Sequence, residues 1–295
     1  MKVSKYTYFN LSCEFLKFAF IRPVCKTIIY IILIGYLFCC PVAKGAFEKK
    51  EVGASSFAIG NAAVAIENNM FAIYYNPAAL VPSEPSRIAF TFQNFYGISD
   101  LNAMDLSSCF SLADHPFSIA FNSFGDQKYH EFQFSVGSSF NIIENGSVGT
   151  SIQCYMLSIY GYGQTTTWGI NLGILYKFLP GLTIGTMVTN LNQPSISESK
   201  DQLPQTMSMG CSYYPVNNLM LSLEIFQDLR YEPEFRAGFT YQVMPVLTIR
   251  IGLEDQLNIY CYGLGIQVGR LFVDYALRTH SVLGISHIVT LIITL

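Results

Sequence analysis

From residue 87 to its last residue the chain breaks into fourteen short segments in which apolar and polar residues alternate. Period two places successive side chains on opposite faces of a strand. The expected strands are 87–95, 106–112, 117–124, 129–140, 147–159, 166–177, 182–192, 206–214, 220–228, 234–243, 247–254, 259–268, 271–279 and 287–295. One face holds Leu, Ile, Val and Phe. The other holds Gly, Ser, Thr, Asn, Gln and nearly all the in-strand charges. A soluble barrel would bury the apolar face inside, whereas a membrane barrel turns it toward lipid. Most segments approach the 9–11 residues that a tilted strand needs to cross a bilayer. The second and seventh alternate weakly.

Charge placement decides between the two orientations. Leu221, Leu223 and Ile225 oppose Ser222, Glu224 and Asp228, and Leu247, Ile249, Ile251 and Leu253 oppose Thr248, Arg250 and Glu254. Arg236, Asp274 and Arg278 likewise fall on polar faces. An arginine facing lipid at mid-bilayer costs about 2–4 kcal/mol, so the polar face belongs in the lumen. The expected fold is all-β, a 14-stranded antiparallel transmembrane β-barrel in the bacterial outer membrane. Glu224, Arg236, Arg250, Glu254, Asp274 and Arg278 are then expected to form a lumenal network of salt bridges, because enclosed charges are usually paired. The alternative is a polar lining for a permeation path.

Connections agree with this parity. Those after even-numbered strands are tight and carry Pro, Gly or Asn (Asp114-His115-Pro116, Leu179-Pro180-Gly181), as short periplasmic turns do. The longest, 96–105 and 193–205, follow odd-numbered strands. Phe117, Phe140, Tyr176, Tyr213 and Tyr241 sit on the apolar face beside the tight turns, as an interfacial girdle would.

The chain before residue 87 has another texture. Residues 28–38 are uninterruptedly apolar, with Lys17, Arg22 and Lys26 ahead and Ala43-Lys44-Gly45-Ala46 behind. That is the pattern of a cleaved secretory leader over residues 1–46. An uncleaved anchor is the alternative, although eleven apolar residues fall well short of the ~20 of a spanning helix. Residues 47–86 are rich in small residues without strand alternation, and some forty residues cannot build a core alone. They are expected to form a short plug, or hatch, inside the barrel of residues 87–295. Asn76 is placed to cap a short helix begun by Pro77.

Composition removes several function classes. Without the leader's six Lys/Arg and one Glu, the chain's 17 basic and 20 acidic residues become 11 and 19, a net of −8. Phosphate binding needs a basic footprint, so nucleic acid is not an expected partner. Cys109, Cys154, Cys211 and Cys261 are isolated, without metal-ligand spacing, and read as free thiols. His115, His130, His280 and His287 stand at strand ends or turns, and no hydrolase or phosphate-loop motif occurs. No enzyme activity, cofactor or metal is expected.

The stretch from Gly53 to Leu80, ending Tyr74-Tyr75-Asn76-Pro77-Ala78-Ala79-Leu80, resembles the opening of FadL-type outer-membrane transporters and of the related PorV/PorQ proteins. Asp274-Tyr275-Ala276-Leu277 followed by Leu283-Gly284-Ile285-Ser286-His287 is similar to the closing hairpin of PorV/PorQ proteins. The resemblance implies fourteen strands and an N-terminal plug. It also implies one of two roles. A PorV/PorQ-type envelope accessory would bind secretion-system or exported proteins, most plausibly through outer loop 193–205. A FadL-type channel would pass long-chain fatty acids or other hydrophobic small molecules along a path past Tyr74, Tyr75, Asn76 and Pro77. The short outer loops and the closing hairpin favour the first.

Overall fold

The computed structural model describes residues 46–47, 51–82, 85–196, 202–255 and 259–295. The expected leader lies outside the described residues except for Ala46. The strands are β1 Arg87–Asn94, β2 Asn102–Leu112, β3 His115–Gly125, β4 Tyr129–Ile143, β5 Gly146–Ile159, β6 Gly163–Leu179 and β7 Leu182–Val188. They continue as β8 Thr206–Val216, β9 Leu219–Asp228, β10 Glu234–Met244, β11 Leu247–Glu254, β12 Ile259–Val268, β13 Leu271–His280 and β14 Gly284–Thr294. Each pairs antiparallel with its neighbours in sequence, and β1 closes on β14 from Arg87↔Thr294 to Asn94↔His287. Closure leaves no sheet edge, which a bilayer requires because lipid satisfies no backbone group.

Faces separate as the alternation demands. In β9, Leu221, Leu223 and Ile225 are exposed while Ser222 and Glu224 are buried; β12 alternates strictly from Ile259 to Ile266. Phe140, Tyr176, Tyr213 and Tyr241 project outward beside the tight turns. About ten residues per strand, rising about 3.3 Å each at a tilt of about 40°, climb about 25 Å, the height of the apolar band of such barrels. Among the described residues no helix is long and apolar enough to cross a membrane. The exterior is that of an outer-membrane barrel.

All six connections after even-numbered strands are two-residue turns, at 113–114, 144–145, 180–181, 217–218, 245–246 and 269–270. The first differs from expectation: His115 and Pro116 already belong to β3, and the turn is Ala113-Asp114. Both have positive φ, 49° and 64°, the geometry that matches the twist of flanking strands. Two strands depart furthest, by four residues each, from their expected limits. β2 begins four residues early, because Asn102 pairs with Asn94. β7 stops at Val188 rather than residue 192, because Asn190 turns the chain at φ 51°.

The core lies inside the lumen. Hatch residues Val52, Ile59, Val64, Phe71, Ala72 and Leu80 pack with wall residues Ala89, Leu175, Met187, Met220 and Ile292. A second cluster sets Ala54, Phe57 and Ala58 against Ala276 and Ile288. Helical turns span Ala54–Phe57 and Ala72–Tyr75, and Asn76 caps the 3-10 turn Pro77–Ala79 through the Ala78 N–H at 3.0 Å. Wall glycines make room for this segment. A Cβ on Gly252 would stand 2.0 Å from Gly60 N, and one on Gly149 2.2 Å from Ala78 N. Gly173, Gly185, Gly238 and Gly263 face the hatch as closely, so a belt of inward glycines crosses the sheet at hatch height.

Replacing Gly149 by Val therefore tests the hatch's seat without harming strand propensity. We expect the conductance of the variant in planar bilayers to rise severalfold, with the folded-barrel gel mobility kept. Unaltered conductance would mean that the hatch tolerates the added methyls and that the belt has another cause.

Candidate functional site

The expected lumenal charges do meet, but around residues that sequence reasoning did not include. Glu51, on the hatch, accepts from Arg278 Nη1 at 2.7 Å and lies 3.6 Å from Arg236. Arg278 also donates to Glu254 at 2.5 Å. Arg236 donates through Nε to Glu234 at 2.8 Å, sits 3.6 Å from Glu224 and lies over the Phe226 ring at 4.0 Å. Arg250 and Asp274 form a separate pair at 2.6 Å, nearer the tight turns. Register places the larger set: Arg236 stands opposite both Glu224 and Glu254 across its two ladders. Glu234 carried the same signal as the others, an acid on the lumenal face of a strand. Glu51 gave no periodicity by which to be placed.

The network also holds backbone. Glu224 accepts from Val64 N–H at 2.9 Å, Glu254 accepts from Asn61 Nδ2 at 2.9 Å, and Thr290 Oγ1 accepts from Ala54 N–H at 2.9 Å. The irregular hatch has no ladder of its own, so wall side chains supply the partners its buried groups need.

The Tyr-Tyr-Asn-Pro sequence divides in two. Tyr74 donates to Asp105 at 2.5 Å, and Tyr75 donates to Asn61 Oδ1 at 2.9 Å. Both line a cavity of about 110 Å³ above the hatch. Asn76 and Pro77 do not reach it. Asn76 Nδ2 donates to Val64 O at 2.7 Å and to Ile174 O at 3.1 Å, while Pro77 is wedged against Gly149 and Gly173. These two anchor the hatch to the wall.

The cavity is walled by Phe47, Tyr74, Tyr75, Tyr155 and Phe226, with Glu51, Gln133, Gln153, Glu224 and Arg236 among its polar groups. Its roof is unexpected. The described parts of the connection, 189–196 and 202–205, turn inward, and Ile196 and Leu203 join Phe47, Tyr155 and Leu157 in a small apolar core. Asn190 fixes that fold: its Nδ2 donates to Pro204 O at 2.7 Å, and Tyr155 donates to its Oδ1 at 3.0 Å. Beneath the hatch, spaces of about 290 and 250 Å³ share Met220, Thr240, Arg250, Phe272 and Asp274 and form a vestibule on the side of the tight turns. Cys109 and Cys261 face the lumen, and Cys154 and Cys211 the exterior, all as free thiols. Among the described residues no group of His, Cys, Asp and Glu could hold a metal ion.

Removing one partner from a buried pair leaves an uncompensated charge and costs about 3–5 kcal/mol. Arg278→Met should therefore lower stability by about that much in urea unfolding from lipid vesicles, and adding Glu254→Gln should restore part of it. A loss within about 1 kcal/mol would place these charges among those that contribute little.

No protein-family model and no curated protein matches the sequence. Solved structures do. A TodX deltaS2S3 mutant monoaromatic hydrocarbon channel superposes with a TM-score of 0.64 at 13% identity, over 84% of this chain and 100% of that one. The Pseudomonas putida toluene transporter TodX gives 0.63 at 12%, over 84% and 99%. A Pseudomonas aeruginosa FadL homologue gives 0.57 at 11%, over 84% and 99%. At such identity the likeness is one of fold, and it joins the apolar exterior in placing the chain among bacterial outer-membrane barrels. The protein has the architecture of the FadL-type channels.

Proposed function

We propose that the chain is an outer-membrane channel for small hydrophobic molecules, with residues 47–86 as its hatch and residues 1–46 as a removed leader. The observation that carries the proposal is the aromatic-walled cavity between Tyr74 and Tyr75 on one side and Thr189, Asn190 and Pro204 on the other. The likeness to a monoaromatic hydrocarbon channel and to a toluene transporter supports passage rather than another use of the fold. In this reading Tyr74 and Tyr75 border the path, Asn76 and Pro77 hold the hatch, and Glu224, Arg236, Glu254 and Arg278 with Glu51 fix its position, while Arg250 and Asp274 pair apart. The leader assignment has geometric support as well. Cleavage after Ala46 would free the Phe47 nitrogen, which already donates to Glu131 Oε1 at 2.8 Å. A new α-ammonium would arrive beside a buried carboxylate.

The envelope-accessory role of PorV/PorQ type is the second reading, favoured by outer connections of three residues at 126–128, 160–162 and 281–283. It loses ground at the longest of them, in whose described parts Pro194, Ile196, Leu203 and Pro204 are buried.

Two measurements separate the readings. Liposomes carrying the protein should accumulate an aromatic hydrocarbon faster than protein-free ones, and deletion of residues 47–85 should raise leakage of small polar solutes. Recovery of secretion components from detergent-solubilised envelopes, with no gain in hydrocarbon uptake, would reverse the assignment.

A further inference from the structure

We infer that the cavity above the hatch is a binding site for a single aromatic ring bearing one neutral hydroxyl, a phenol-type solute. The inference rests on the channel reading and narrows it to a substrate class. Size sets the first limit. A cavity of about 150 Å³ is known to accept benzene, so about 110 Å³ takes one ring with modest side-chain adjustment and excludes a long acyl chain. The walls suit a ring, since five aromatic side chains enclose the space.

Polar groups set the second limit. Gln133 Oε1 and Glu51 Oε1 accept no hydrogen bond from any described residue, and Arg236 Nη2 donates none. Their residues are only 2%, 8% and 4% exposed, and all three line this cavity. Buried groups of this kind are normally satisfied, so an unmatched set in one cavity points to something that occupies it. Arg236 Nη2 and Glu51 Oε1 are 3.6 Å apart, too far to satisfy each other. A hydroxyl is the smallest group that complements both, accepting from the guanidinium while donating to the carboxylate. Gln133 Oε1 lines the same cavity as a further open acceptor.

Charge sets the third. The α-ammonium that leader removal would place on Phe47 is met by Glu131, which leaves two glutamates against one arginine in the lining, a net of −1 that disfavours a carboxylate ligand. An ammonium would complement the glutamates but meet Arg236. A plain hydrocarbon would fill the space and leave all three groups unmatched, and sites built to bond a hydroxyl discriminate strongly against analogues that lack it.

The test uses the full chain extracted from membranes, with 4-fluorophenol, 4-fluorotoluene and 4-fluorobenzoate as ¹⁹F NMR probes and protein-free micelles as the partition control. After that correction, 4-fluorophenol should bind about tenfold or more tightly than 4-fluorotoluene, and 4-fluorobenzoate should bind weakest. Gln133→Met, close in volume but without the acceptor, should narrow the phenol-to-toluene ratio. The wild-type ratio alone decides the matter should that variant fail to fold. Equal or tighter binding of 4-fluorotoluene overturns the inference while leaving the channel for hydrophobic molecules standing. Binding of neither ring overturns both.

Discussion

A sheet closed in lipid must be wide enough to complete its circle, and at fourteen strands that width is what the rest of this molecule answers to. With strands about 4.8 Å apart and tilted about 40°, the backbone cylinder is about 28 Å across. Wall side chains reach inward from both sides and still leave a hole. Residues 51–80 fill it with Phe57, Phe71, Ile59 and Ile73, all fully buried. Each contributes on the order of 1.5–3 kcal/mol by leaving water. The protein thus has its apolar core within a lumen whose walls are polar, and the hatch brings most of the grease.

That inversion explains the two unusual features of the wall. A hatch without regular structure must come close to the strands, because its backbone groups need partners that only the wall can supply. Glycine permits the approach at Gly149 and Gly252. Acids and hydroxyls provide the bonds, as Glu224, Glu254 and Thr290 do for Val64, Asn61 and Ala54. The arginines then become necessary. Glu51, Glu224, Glu234 and Glu254 gather in a small volume, and Arg236 and Arg278 are the cations that meet them. The paired charges are consequences of docking an irregular segment in a closed sheet.

What could be read from the sequence followed from period two. Every strand and the facing of Glu224, Arg236, Arg250, Glu254, Asp274 and Arg278 rest on alternation, which a one-residue slip would reverse. The capping of Pro77 by Asn76 was equally local. The rest was non-local. Glu51 lies in a segment with no period, so nothing in the sequence pointed it at Arg278, 227 residues away. Gly149, Gly173 and Gly252 looked like ordinary small residues on a polar face until the hatch was laid against them. Residues 193–205 read as a polar outer loop, and the bonds of Asn190 to Pro204 and Tyr155 draw its described ends inward.

The same geometry limits how anything could cross. Glu51 and Tyr75 border the upper cavity, while Ser55, Ser56 and Ile59 border the vestibule below, so the barrier between them is one short stretch of hatch. Ejecting the whole hatch would expose its entire core and unpair Glu224, Glu254 and Asn76 at once. Shifting residues 51–59 alone would break the Glu51–Arg278 and Ala54–Thr290 contacts and disturb the packing of Phe57 on Ala276 and Ile288. Asn76 and Pro77 would stay seated between Gly149 and Gly173. Each 1.4 kcal/mol of opening cost lowers the open population tenfold, so a local shift is favoured over expulsion by many powers of ten. The ends of the hatch are thus held differently, the Glu51 end by side-chain bonds to the wall and the Asn76 end by its seat between Gly149 and Gly173.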